Sequence, residues 1–531
     1  PAHEFEDGVD YVPANKHILF GHHFTSIAGA APIIGPCIAV YWGWFPALLW
    51  IVLGTIFMGA VHDFGALVLS LKEKGKSVAD ISSKVVNKRV QVMFLIFIMC
   101  LTWLVLAVFA NAIATLFSKY STAVLPVNIE IIIAMIIGYL IYKKEMHPLI
   151  PSLVALVILY LFVWIGSNNP IDLKSFGINE GIVKHIWIIL LFAYSAIASL
   201  IPVWILLQPR DYINSHQLIV GLGLIFISIF IIQPQVIAPA ITNINNGPPI
   251  IPFLFVTIAC GALSGFHGIV SSGTSAKQLS NEKDARFVGY LGALGEGSLA
   301  LITITAVTGS LYAASVAGGW DAIYPSFTGG PSAGGFIAGG ALLISEGWGI
   351  PLSFAQTMLA VMVVLFAGTT MDAGLRLTRY IIQEWGNIYQ IKPLKSNYIS
   401  TFVAVGACLL LAFGVSNGNY PGDGGTLIWP VFGATNQILA SMTLIVISVY
   451  LVKLGRPAKN LLIPLCFILV MATWAGIWYI IDYVNSGQWL LVLIQSAVII
   501  SSIFIILESW STFSKLRAES GAEEAADTSG E

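Results

Sequence analysis

The sequence predicts an all-α polytopic membrane protein of about 14 transmembrane helices with an inverted repeat. Three observations predict it: a composition poor in charge, fourteen apolar runs of spanning length, and a sorting of basic residues to alternate loops. Hydrophobic residues fill 57% of the 531 positions and charged residues 10%, with a mean hydropathy of +0.85. A soluble globular chain is about 25% charged, so most side chains here face lipid or other helices. The 15 Trp and 50 Gly agree, since Trp collects at membrane interfaces and Gly is common in spanning helices. A net charge of −2 gives no reason to expect a nucleic-acid partner. The expected partners are the lipid bilayer and a small-molecule substrate, and the sequence leaves the oligomeric state open.

A spanning helix needs about 20 mostly apolar residues. Fourteen runs qualify, numbered here as spans 1 to 14: 24–41, 44–71, 90–118, 128–142, 148–166, 182–207, 216–234, 250–272, 287–316, 350–372, 399–416, 427–452, 461–482 and 490–512. The fourth is short. The Gly-rich stretch 333–346 is apolar but shorter than a span, and a re-entrant segment is one reading of it.

Basic residues collect on the cytoplasmic side of membrane proteins. If the loop 72–89 is cytoplasmic, alternation puts 143–147, 208–215, 273–286, 373–398, 453–460 and both tails on the same side. Those segments hold 22 of the 25 Lys and Arg; Lys119, Lys174 and Lys184 fall outside. The expected organisation is a cytoplasmic N-terminal segment 1–22, a transmembrane domain 23–512, and a disordered cytoplasmic tail 513–531. Within the domain, a first repeat covers about 23–234 and a second about 250–512. The acidic start (Glu4, Glu6, Asp7, Asp10) does not resemble a cleavable signal peptide. Cys37, Cys100, Cys260, Cys408 and Cys466 sit in apolar runs and read as buried small hydrophobes.

Span 1 opens with Gly21-His22-His23 and reaches Gly29; span 8 contains Gly265-Phe266-His267 and reaches Gly273. Both read G-x-H-x5-G, and the alternating topology gives them opposite directions. Such pairs are the plan of many secondary transporters. Pro32, Gly35 and Pro36 in span 1, and Gly261, Gly265, Gly268 and Gly273 in span 8, break helix rules. Unwound backbone at membrane depth is tolerated only where protein buries it or a cavity meets it. The expectation is two discontinuous helices with exposed ends.

Ionisable groups inside spans are costly and point to function. His62 and Asp63 lie in span 2, Glu296 in span 9, Asp372 near the end of span 10, and Asn436 and Gln437 beside Pro430 and Gly433 in span 12. Structural readings stand beside the functional ones. Asp372 could pair with Arg376 one turn on, Asn436 and Gln437 could join helices, His22 and His23 could be interfacial, and His267 could be a satisfied core histidine. His22, His23, His62, Asp63 and His267 are metal-ligand types, but their spacing fits no standard motif, and no metal or other cofactor is expected. No Walker motif and no arginine-repeat helix occurs, which argues against ATP-driven transport by this chain alone and against voltage sensing.

At these residues the chain resembles the carbon starvation protein A (CstA) family of pyruvate and peptide transporters. The resemblance covers nearly all of 1–460. It rests on Asp7-Gly8-Val9-Asp10-Tyr11-Val12-Pro13, Gly21-His22-His23-Phe24, Ala60-Val61-His62-Asp63-Phe64 and Pro209-Arg210-Asp211-Tyr212. It continues through Ile258–Thr274, Asp372-Ala373-Gly374, and Trp429-Pro430 to Asn436-Gln437. Family members usually carry further hydrophobic helices ahead of the Asp7–Pro13 stretch, and the segment after 460 is more compact here. The resemblance implies pyruvate or peptide uptake driven by a proton or sodium gradient, in a bacterial plasma (inner) membrane. It also implies kinship with the LeuT-like superfamily.

The expected function is a secondary active importer working by alternating access, and not an enzyme. The broken ends of spans 1 and 8 would hold a substrate carboxylate through backbone donors and half-helix dipoles. The expected substrate residues are His23, Thr25, Ser26, Gly29, His267, Ser271, Ser272, Thr274, Asn436 and Gln437. Asp63, with His62, is the first choice for the coupling proton, because an isolated carboxylate is costly at membrane depth; Glu296 follows, and Asp372 is a further candidate. If sodium is the coupling ion, unwound carbonyls and Ser/Thr oxygens would bind it. The rival classes are a channel and a membrane-embedded metal-dependent enzyme.

Overall fold

The computed structural model describes residues 1–242, 247–327, 330, 332–416, 418 and 424–528, with backbone alone described at 426 and 516–528. The loop position Asn245, expected outside the membrane, lies beyond the described residues. Among those described, twelve helices are long and apolar enough to cross a membrane, and a bent pair, Lys16–Ala28 with Ala31–Trp42, passes the same test at 40°. The pair is span 1. Span 8, expected as the eighth of fourteen, is not among these; it consists of a helix at Ile250–Thr257, a non-helical stretch at 258–264 and helix again from Gly265 to Gln278.

Spans 1 and 8 lie side by side in opposite directions. His23 meets Ser275, Pro32 meets Gly261, Gly35 meets Thr257 and Trp42 meets Pro248. As one number rises the other falls. The two breaks are therefore level with each other, although they sit at different points of the shared motif: after it in span 1, before it in span 8. Two glycines make this possible. Gly29 has φ +51°, and a Cβ there would lie 2.6 Å from Thr370 Oγ1; Gly261 has φ +93°, and a Cβ there would lie 2.9 Å from the Ala300 Cβ. An L side chain would meet both a backbone it rarely adopts and a neighbour already in place.

Spans 3, 10 and 12 are the most enclosed and pack around this pair. The remaining helices turn large apolar side chains outward, among them Ile150, Trp164, Phe230, Phe402, Leu493 and Trp510. So wide an exposed apolar belt would aggregate in water and suits lipid.

The helix boundaries depart from the expected ones where polar residues are buried. Span 6 ends at Leu200 and span 7 starts at Leu207. Residues 208–215, expected as a loop, are helical and enclosed. Span 10 likewise runs on to Ile388, with Arg376 and Arg379 buried. Hydropathy reads such residues as solvated, whereas here Arg210 pairs with Asp372, Asp211 with His22 and Arg376 with Asp10. The Gly-rich stretch forms a helix, Ala333–Trp348, packed on spans 7, 9 and 10. The last helix continues past 513 to Thr528. Four cysteines are buried as expected, but Cys466 is exposed on the outer face.

The N-terminal segment is strapped across the end of the bundle that carries the 72–89 loop. Ala14 N–H donates to Gln278 O at 3.0 Å, Ser280 Oγ donates to Ala14 O at 2.8 Å, and Val203 N–H donates to Val9 O at 3.1 Å. Asp10 pairs with Arg376 at 2.8 Å.

Candidate functional site

The unwound backbone of span 8 has lost helical partners, and buried amide groups must find others. Side chains from spans 9 and 12 supply them. Glu296 Oε1 accepts from Gly261 N–H at 2.9 Å. Asn436 Oδ1 accepts from Phe266 N–H at 2.8 Å, and Gln437 Nε2 donates to Leu263 O at 2.9 Å and Phe255 O at 3.1 Å. The sequence reading expected these ends to be free for solute. In this conformation they are held by the protein, and Asn436 and Gln437 brace the break.

Against the same break lies a chain of buried ionisable groups. Asp63 Oδ1 is 2.8 Å from His62 Nδ1, and Oδ2 is 2.9 Å from His267 Nδ1. His267 Nε2 stands 3.2 Å from Glu296 Oε2, close enough for an ion pair but not aligned as a hydrogen bond. Asp63, His62, His267 and Glu296 are at most 2% exposed. Neighbouring helix positions point about 100° apart, yet the His62 ring reaches back to Asp63. The network joins spans 2, 8 and 9, and its last member also holds the backbone of the break.

Among the described residues, the polar atoms buried here without a hydrogen-bond partner in the protein include His23 Nε2, His62 Nε2, His267 Nε2 and Ser271 Oγ. Buried polar groups are nearly always hydrogen-bonded, so unpaired ones mark a place where water, an ion or a ligand completes the set. His23 Nδ1 is 2.9 Å from Ser275 Oγ. The other expected hydroxyls are engaged locally: Thr25 Oγ1 donates to Gly21 O, Ser272 Oγ to Gly268 O and Thr274 Oγ1 to Val270 O, at 2.7 to 3.0 Å. Ser26 O accepts from Thr370 Oγ1 at 3.0 Å, in the gap that Gly29 leaves open.

Asp372 belongs to a second, separate cluster, and its partner is not Arg376. It pairs with Arg210 and accepts from Ser195 Oγ at 2.8 Å and Tyr194 OH at 3.0 Å. Arg376 turns instead to Asp10 and to the carbonyls of Ala198 and Ile201. His22, far from interfacial, is fully buried and 2.5 Å from Asp211.

Several buried residues escaped the sequence reading. Arg210 and Asp211 lay in a polar run taken for a loop. Glu130 lies in span 4, fully buried with both oxygens unpaired in the protein; its signal, a carboxylate in an apolar run, was the one that marked Asp63. Cys260 was read as a plain hydrophobe, yet its Sγ lies with His267 and Glu296, their ligand atoms all within 4.8 Å. Those three are types that can hold a divalent cation, and Asp63 backs the imidazole as an outer carboxylate does at metal sites.

The family model for "Carbon starvation protein CstA" matches residues 1–318 and 326–475. The chain is 33% identical over 518 residues to a peptide transporter CstA of Bacillus subtilis, covering 90% of this chain and 84% of that protein. It is 29% identical over 555 residues to a pyruvate/proton symporter, BtsT, of Escherichia coli, covering 90% and 76%. Among solved structures, MhsT in complex with L-phenylalanine superposes with a TM-score of 0.53 at 13% identity, over 94% of this chain and 99% of that one. This likeness shows the fold, the LeuT-like arrangement of broken helices. The chain belongs to the carbon starvation protein CstA family, and it is a multi-pass secondary transporter of a bacterial inner membrane rather than an enzyme.

Proposed function

We propose that this protein imports a small carboxylate-bearing solute, pyruvate or a short peptide, in symport with a proton. The observation that carries the reading is the Asp63–His267–Glu296 chain, which ends on the backbone of the span 8 break. A proton passed along it changes the charge on Glu296, and with it the hold on Gly261. Ion binding and backbone rearrangement then share one side chain, as coupling requires. The names of the relatives support both the solute class and the proton. Solute is placed beside the two breaks, against His23, His62 and Ser271, whose unpaired polar atoms it would complete. Asp63 is the coupling residue and Glu296 its partner; Asp372 serves the second cluster.

The antiparallel run of spans 1 and 8 supports two inverted repeats, 23–234 and 250–512. The basic-residue partition supports a cytoplasmic 72–89 loop and two cytoplasmic termini. An impermeant thiol reagent on intact cells should reach Phe176→Cys and spare Arg89→Cys; the reverse pattern overturns the orientation.

The deciding experiment is uptake of labelled pyruvate and labelled dialanine into proteoliposomes, with pH and sodium gradients imposed separately. Accumulation driven by the pH gradient alone supports the proposal. Accumulation driven only by sodium, or downhill flux insensitive to both, refutes proton symport. Because Cys260, His267 and Glu296 converge, elemental analysis of the purified protein belongs beside it: a stoichiometric transition metal would make this cluster a metal site.

A further inference from the structure

A cavity of about 480 Å³ opens at the end of the bundle that carries the 72–89 loop and reaches inward to Ile269 and Gly273 on the second half of span 8. Its size is that of a small-molecule site. Lys277, one turn beyond Gly273, projects into it. The ammonium stands 4.3 Å from the centroid of the Tyr380 ring and 5.3 Å from that of Tyr11. Two aromatic faces hold a cation in place without neutralising it.

The charged groups around Lys277 are otherwise engaged. Asp10 pairs with Arg376 at 2.8 Å, and Asp80 pairs with Lys76 at 2.5 Å. Asp7 Oδ1 accepts the backbone N–H groups of Val9, Asp10 and Tyr11. Arg379, also buried, lies 4.9 Å from the Tyr380 ring centroid. Glu384, another lining residue, accepts from Gln91 Nε2 at 2.8 Å. Among the described residues Lys277 makes no ion pair. A clamped ammonium with no ion pair of its own, in a solute-sized cavity, is a recognition point for an incoming anion.

We infer that this vestibule is a second solute site, in which Lys277 binds the solute's carboxylate after it leaves the breaks of spans 1 and 8. The inference rests on the transport reading above and adds to it a station on the cytoplasmic side. Lys277 is suited to any carboxylate. Glu384 adds a discriminating contact, because it can accept from the ammonium of a peptide and has nothing to offer pyruvate.

Proteoliposomes containing the full chain, sorted by orientation, test this with labelled pyruvate and labelled dialanine presented from each face. Lys277→Gln should raise KM from the vestibule face about tenfold for both solutes and change it less than twofold from the opposite face; Lys277→Arg should restore it. Glu384→Gln should raise the vestibule-side KM for dialanine alone. An unchanged vestibule-side KM in Lys277→Gln, or an equal shift from both faces, overturns the inference and leaves the transport reading intact. Equilibrium binding of the same two solutes to purified protein separates the two ideas. Binding lost in Lys277→Gln and kept in Lys277→Arg supports the site even if no accumulation is seen. Binding absent from the parent, or equal in parent and Lys277→Gln, overturns it.

Discussion

The carboxylate of Asp63 holds Nδ1 of His267 at 2.9 Å across a sequence separation of 204 residues, joining span 2 to the inner half of a broken span 8. The other ring nitrogen of His267, Nε2, stands 3.2 Å from Glu296 Oε2. Asp63→Asn keeps the shape and removes the charge. Gradient-driven accumulation should fall at least tenfold while solute counterflow persists. Glu296→Gln should behave alike, because it interrupts the other end of the same chain. Full accumulation in Asp63→Asn would make Asp63 structural and leave Glu296 as the coupling candidate.

Gly261→Ala should destabilise the break. The backbone there has φ +93°, and the new methyl would sit 2.9 Å from the Ala300 Cβ. Strain of this kind costs about 1–3 kcal/mol. Thermal unfolding of the purified protein should shift down by several degrees, with transport reduced in step. Gly297→Ala is a packing control, since it crowds Thr55 side-chain atoms at 2.7 Å without a left-handed backbone.

The Arg210–Asp372 pair is fully buried. Removing one partner of such a pair strands the other at a cost of about 3–5 kcal/mol. Arg210→Met should therefore unfold at a markedly lower temperature than the parent, and so should Asp372→Leu. The double variant should recover much of the loss, because apolar replacement of both partners is often neutral. Additive losses in the double variant would show that the two residues do not act as a pair.

Asp10 latches the N-terminal strap to Arg376. Burial raises its carboxyl, but Arg376, the Tyr380 hydroxyl, Lys277 and Arg379 together outweigh this and hold it below the usual value. A carboxyl depressed in the folded state adds stability that is complete above its unfolded value, about pH 3.9, and fades as pH falls through the lower folded value. The strap should stay docked from neutral pH down to about pH 4 and loosen only below that. Hydrogen exchange at Tyr11, corrected for intrinsic rates, should show this acid limb. Asp10→Asn should exchange faster throughout and lose the limb; an unchanged profile in Asp10→Asn would show that the latch contributes nothing.

The sequence by itself determined the solvent this chain lives in and the two helices that would break. Each of these follows from local chemistry. Twenty apolar residues need lipid, Lys and Arg sort by side, and Pro and Gly interrupt a helix wherever it lies. It also marked Asp63, His267 and Glu296, because a charge in an apolar run is conspicuous alone. Tertiary structure decided the partners. Asp372 met Arg210, 162 positions away on another span, rather than the Arg376 one turn along its own helix, because Arg376 is taken by Asp10 and the carbonyls of Ala198 and Ile201. The polar run 208–215 became helix because Asp211 finds His22 and Arg210 finds Asp372 on other spans, pairings no hydropathy window contains. The half-helix ends, free on paper, were bound by Glu296, Asn436 and Gln437, because buried backbone takes the nearest partner that three-dimensional packing delivers.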